Sequence, residues 1–278
     1  MKKWIPPAVL AVLLLIFCLW VSDYYHADET ALDALQSELV TQTDYGWLFD
    51  GPGDSSVLIF YPGAKVQETA YAPLLLQLSD SGMDVCLVKM PFHLAIFGAN
   101  KAEAIQSRHD YTKTYIGGHS LGGVLAAMYA ANHDLDGVIL LASYPTRELD
   151  EPMLIIYGSE DGVLNTDRVE KAEQYGTVED TVLYGGNHAQ FGNYGTQKGD
   201  GEATKLGKAR EADAAQLRRR RSVRVRNGSA PTADGFSAGA GGRPPPPPRP
   251  ASRDAMSPAP RRSAARSGRP RTRADCPR

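Results

Sequence analysis

The chain has 278 residues, 42% of them hydrophobic, and a formal net charge of −2. That length holds one sizeable domain with additions, but residues 1–200 carry 11 Lys and Arg against 26 Asp and Glu, while residues 201–278 carry 19 against 6. So the two stretches are not one globule, and the acidic first part argues against a nucleic-acid partner, because it would repel phosphate.

At the N-terminus, Lys2 and Lys3 precede an uncharged apolar run from Trp4 to Val21. Such a run is at the short end for a membrane span and long for the core of a signal peptide. Tyr25, two before Ala27, spoils a cleavage site, and Phe17 before Cys18 spoils a lipid-attachment site. A signal-anchor helix over residues 1–22 is therefore expected, with the lysines inside and the rest of the chain outside the cytoplasmic membrane; secretion after cleavage is the alternative. Residues 23–43 are expected to form a stalk, with a short polar helix or stalk segment from Asp28 to Val40. Cys18, Cys86 and Cys276 show no CxxC spacing, so neither a disulfide framework nor a metal site is indicated.

From Asp44 onward, short β-forming runs alternate with helical ones. Strands are predicted at Ser56–Tyr61, Asp84–Met90, Thr112–Ile116 (stopped by Gly117-Gly118), Gly137–Ser143, Met153–Tyr157 and Thr181–Tyr184. Helices are predicted at Glu68–Leu78, Leu94–Ser107, Leu121–His133 and Asp167–Gln174. This alternation implies an α/β domain over residues 44–204: a mostly parallel sheet flanked by helices. In such sheets ligands bind at the carboxyl ends of the strands, so reactive residues are sought there.

Directly after the third strand stands Gly118-His119-Ser120-Leu121-Gly122, a G-x-S-x-G motif between a strand and a helix. The nucleophile of such a motif stands on a sharp turn, and glycines remove side chains that would collide there. Ser120 is the candidate nucleophile, and the Leu121 N–H at the helix start can face a developing oxyanion. A serine needs a base and an orienting acid. Asp161 follows the strand MLIIY and is preferred over its neighbour Glu160. His188 follows the last strand on a glycine-flanked loop. The order Ser, Asp, His fits the motif. His26, His93, His109 and His133 are read as structural. A second oxyanion donor is expected from the loop after SVLIFY, at the Ala64 N–H. Lys65 beside it is solvated or meets an anionic substrate.

The residues YPGAKV, GGHSLGG, YGSEDGVLN and GGNHAQFG, in that order, resemble the α/β-hydrolase superfamily. More narrowly, they resemble its compact bacterial "α/β-hydrolase fold-5" group, several of whose members begin with a membrane anchor. The resemblance covers about Gly46 to Thr204. It implies the α/β-hydrolase fold, a Ser120–His188–Asp161 triad, an acyl-enzyme intermediate, a small-molecule acyl substrate and no cofactor. Pro62-Gly63 stands where many of these hydrolases have His-Gly. Only Tyr144–Pro152 separates two strands between which many lipases carry a lid, so no lid insertion and an open site are expected. The substrate stays open, because the fold hosts many activities.

Residues 205–278, with Arg218–Arg221 and Pro244–Pro248, are rich in Arg, Pro, Ala and Gly. They are expected to form a disordered tail, and the composition also matches a shifted reading frame. In the family a final helix fixes the histidine loop. Residues 202–221 lack an apolar face for that task, so a loosely held His188 is expected. A membrane-anchored extracytoplasmic serine hydrolase is thus the leading function. A non-catalytic binding module of the same fold is its rival, ranked below it because all three triad candidates are present. A basic tail binding nucleic acid is a third.

Overall fold

The computed structural model describes residues 7–53, 55–108 and 110–204. The tail over residues 205–278 lies outside the described residues, as does the start of the apolar N-terminal run. The elements run α1 (Pro7–Ser22), α2 (Glu29–Ala34), β1 (Val40–Gln42), β2 (Gly46–Phe49), β3 (Ser56–Tyr61), α3 (Ala72–Ser79) and β4 (Asp84–Val88). Then come α4 (Lys101–Gln106), β5 (Lys113–His119), α5 (Leu121–Ala130), β6 (Gly137–Leu141), β7 (Met153–Gly158), α6 (Thr166–Glu170) and β8 (Val178–Leu183).

The eight strands form one sheet in the order β1-β2-β4-β3-β5-β6-β7-β8. β1 with β2 and β2 with β4 are antiparallel, and every other pair is parallel. From β3 the chain steps to β4 on one side and then returns to β5 on the other. The direction of winding therefore reverses between β3 and β5. Loops leaving these two strands diverge there and leave a crevice.

Side-chain alternation explains why the central strands read as continuous apolar runs. Val57, Ile59 and Tyr61 of β3 face one layer with Ile116, Leu140 and Ile155. Leu58 and Phe60 face the other with Val85, Leu87 and Tyr71. Residues of α4, α5 and α6 fill the first layer, and α3 with Ala189, Phe191 and Tyr194 fills the second. Each such aliphatic or Phe side chain, fully buried, contributes about 1.5–3 kcal/mol. Cys86 lies inside the first layer, and burial pushes its thiol up to about 12, so it is no nucleophile.

Several expectations are corrected. The segment expected as a stalk packs on the domain instead. Tyr25 bridges Val66, the Asp28 N–H donates to Asn193 at 2.8 Å, and β1 joins the sheet edge. The apolar and aromatic residues of that segment, Tyr25, Ala27, Ala31, Ala34, Leu35 and Val40, supply the contact surface. The predicted helix Leu94–Ser107 is broken: Leu94 is extended, Ala95–Phe97 makes one 3-10 turn, Gly98 has φ −143°, and only Lys101–Gln106 is α-helical. β5 runs through Gly117-Gly118 rather than stopping there, because both glycines pair with β3 and β6. The helix expected at Asp167–Gln174 ends at Glu170 and continues as a 3-10 turn.

The expected transmembrane helix is also corrected. Among the described residues no helix is long and apolar enough to cross a membrane. The described part of α1 has 16 residues, about 24 Å against a hydrocarbon core of about 30 Å. None of its residues is buried.

Candidate active site

Ser120 sits between β5 and α5 with φ 53° and ψ −125°, a backbone conformation that side-chain-bearing residues rarely adopt. Its neighbours impose it. The Ser120 N–H donates to the Leu141 carbonyl at 2.9 Å, and the Ser143 hydroxyl donates to the Ser120 carbonyl at 2.8 Å. A Cβ on Gly122 would run into the carbonyl oxygens of Tyr61 and Pro62, so glycine there lets α5 start tight against the end of β3. The half-buried serine thus stands at the crevice between β3 and β5. Strain of this kind concentrates at functional sites.

His188 and Asp161 meet as the sequence order predicts. Nδ1 of His188 lies 2.8 Å from Oδ2 and 3.1 Å from Oδ1 of Asp161. Their side chains are 2% and 0% exposed, so water does not weaken the pair. The Val163 and Leu164 N–H groups donate to Asp161 Oδ1 at 2.9 and 2.8 Å, which fixes the carboxylate in place. A carboxylate accepts, so Nδ1 carries a proton and a neutral His188 leaves its Nε2 lone pair free. Nε2 is buried and makes no hydrogen bond, so its bond to the serine hydroxyl is not closed in this structure. Catalytic hydrogen bonds are often long before substrate binds. Glu160, the rival acid, is exposed and accepts from the Ser159 hydroxyl at 3.0 Å.

His188 is not loosely held. Asp200, which the sequence does not single out, clamps its loop. Asp200 Oδ1 accepts from the His188 N–H at 3.1 Å and from Gly162 N–H at 3.1 Å, and Oδ2 from Ala189 N–H at 2.9 Å. One carboxylate therefore ties the loop of the base to the loop of the acid. Asn187 Nδ2 donates to the Gly201 carbonyl at 2.7 Å, and Thr204 N–H to Gly185 at 3.0 Å. The segment 197–204 thus does the work expected of a final helix.

The oxyanion candidates lie where expected in the chain: Leu121 opens α5 and Ala64 follows β3. Lys65 is engaged elsewhere. Its Nζ is 3.1 Å from Asp23 and 5.0 Å from the Trp20 ring centroid, so it ties the N-terminal segment to this loop. His93 stacks on Tyr24 with ring centroids 4.0 Å apart, and His133 stacks on Tyr129 at 3.7 Å; both keep structural places. Among the described residues no cluster of His, Cys, Asp and Glu could hold a metal ion.

Solved structures with a similar backbone include a thermophilic esterase, Est2, of the planctomycete Thermogutta terrifontis, at 14% identity and a TM-score of 0.44, covering 70% of this chain and 93% of that one. Carboxyl esterase 2 of the mycorrhizal fungus Tuber melanosporum is 12% identical, with a TM-score of 0.48 and coverage of 61% and 83%. Est1E of Butyrivibrio proteoclasticus is 16% identical, with a TM-score of 0.43 and coverage of 54% and 89%. No curated protein matches the chain. The sequence profile of the alpha/beta hydrolase family matches residues 57–212, more than half the chain, and the chain belongs to that family.

Proposed function

We propose that this chain is a serine hydrolase that cleaves an ester or related acyl bond through an acyl-enzyme intermediate. The carrying observation is the buried His188–Asp161 pair, 2.8 Å apart, at strand ends that also present a strained Ser120. Neutral His188 takes the Ser120 proton through Nε2 as the hydroxyl attacks the carbonyl. The imidazolium then formed keeps its Nδ1–H on Asp161, whose buried charge stabilises it. The N–H groups of Leu121 and Ala64 hold the oxyanion. His188 next protonates the leaving group and activates water for deacylation.

Labelling of the full chain by a fluorophosphonate tests this reading. Covalent labelling that disappears in both Ser120→Ala and His188→Ala is expected. A folded wild-type chain that does not label would overturn it and leave a binding module of the same fold, the reading that the unpaired Nε2 favours.

Location is part of the proposal. The apolar surface that α1 leaves exposed supports a chain held at a lipid surface through α1. Recovery of the chain in the soluble cytoplasmic fraction would sink that part.

A further inference from the structure

His119 and Tyr71 take no part in the chemistry above, yet they lie at its centre. His119 precedes the nucleophile and is 1% exposed. Tyr71 closes the 3-10 turn Glu68–Tyr71 before α3 and is fully buried. The Gly63 N–H donates to Tyr71 Oη at 3.0 Å. Tyr71 Oη and His119 Nδ1 are 2.8 Å apart. His119 Nε2 and the carbonyl oxygen of His188 are 3.1 Å apart.

Counting donors and acceptors gives this line a direction. A carbonyl oxygen only accepts, so His119 Nε2 carries a proton. A neutral imidazole has one N–H, so Nδ1 is an acceptor. The Tyr71 hydroxyl proton must then point at Nδ1, and its oxygen is left to accept from Gly63. Burial, and next the His188 ring, hold the His119 pKa well below its ordinary value. Burial also pushes the Tyr71 phenol above its ordinary range. Both groups are therefore neutral at working pH, and the line has one arrangement. Gly63 leaves the room it needs: a Cβ there would lie 2.8 Å from both His119 Nδ1 and Tyr71 Oη.

The ends of the line give it a purpose. Gly63 belongs to the loop that carries the Ala64 N–H, His119 is bonded to Ser120, and the accepting carbonyl belongs to His188. These three parts come from the ends of β3, β5 and β8; β3 and β5 pair only as far as Tyr61 and Gly118, and β8 pairs with neither of them. We propose that Tyr71 and His119 are positioning residues, a single directed hydrogen-bond line that locks the oxyanion loop and the base to the nucleophile turn. The proposal rests on the serine-hydrolase reading.

The test uses the full chain, with p-nitrophenyl acetate as substrate and 15N-histidine labelling for NMR. Removing the hydroxyl in Tyr71→Phe is expected to lower kcat about 10- to 100-fold, the scale of small misplacements, with KM within about twofold. The double variant Tyr71→Phe/His119→Leu should be slower than either single one by no more than about twofold, because all three break the same unit. His119, assigned by the signal lost in His119→Leu, should stay a neutral Nε2–H tautomer between about pH 6 and 9. In Tyr71→Phe it should keep that tautomer, held by the His188 carbonyl, while the Nδ1 resonance shifts because its donor is lost. A folded Tyr71→Phe turning over at the wild-type rate would overturn the proposal while leaving the hydrolase reading intact. So would an Nδ1–H tautomer of His119 in the wild type, which can be read even if Tyr71→Phe does not fold. A wild type that neither labels nor turns over is the failure of the hydrolase reading itself, and it removes the catalytic purpose of the line.

Discussion

At the scale of single residues, the site depends on side chains that tie separate loops together. Asp200 shows what this means. Its two oxygens receive N–H groups from Gly162, His188 and Ala189, and also from Gly201 at 2.8 Å. Hydrogen bonds to a charged group contribute about 1.5–3 kcal/mol each, against about 1 for neutral ones. Asp200→Asn keeps the shape but loses the charge and turns an NH2 toward one of these donors. It should lower kcat about 10- to 100-fold through loosening of the acid and base loops, with KM changed less than about twofold. Asp200→Glu should restore less than the wild type, since a longer arm misplaces the carboxylate. Steady-state kinetics with melting curves checks this, and an unchanged kcat in folded Asp200→Asn would show the clamp to be idle.

At the scale of elements, the tight junction of β3 and α5 carries the nucleophile. Gly122→Ala sets two effects against each other. Alanine in a helix gains about 1 kcal/mol over glycine. Its Cβ, however, meets the backbone carbonyls of Tyr61 and Pro62, which cannot swing aside as a side chain can. Overpacking of this kind costs about 1–3 kcal/mol or more. The clash should win, with a melting temperature lowered by several degrees and loss of fluorophosphonate labelling. A variant that melts higher and still labels would show that α5 can shift freely. The same junction explains what the sequence reveals and what it hides. Ser120, Asp161 and His188 are legible because each follows a β-forming run by a few residues, where chemistry is to be sought. β3, β4, β6 and β7 are legible because burial makes them near-continuous apolar runs, whereas the mostly exposed edge strand β8 is legible only over its last residues. β1 and β2 are not, being only three and four residues long. The break before α4 is hidden too, since the 3-10 turn Ala95–Phe97 is apolar and continues the helical spacing up to Gly98. Asp200 and Tyr71 act through partners up to 38 and 48 positions away in the chain, and no local pattern carries that information.

At the scale of the whole molecule, the question is what completes the domain. Residues 189–194 pack on the second core layer. Lys198 N–H donates to Tyr25 Oη at 3.0 Å, so the last segment also holds the N-terminal one. Asp200, Gly201 and Thr204 then close over the His188 loop. Among the described residues, the contacts that hold the site run from about Asp23 to Thr204, and shortening the chain tests whether they suffice. Ending it after Thr204 keeps every contact named here and should keep fluorophosphonate labelling. Ending it after Thr196 removes Asp200 and Gly201 and leaves the N–H groups of His188, Ala189 and Gly162 without their carboxylate. The exposed Gly162 N–H can turn to water, but the part-buried donors of His188 and Ala189 so abandoned cost about 1–3 kcal/mol each, a large part of the roughly 5–15 kcal/mol that holds a domain folded. That chain should lose labelling and melt several degrees lower. Labelling that survives the shorter ending would mean that β7, β8 and Asp161 hold the base unaided. Labelling lost already after Thr204 would mean that residues beyond it take part in holding His188.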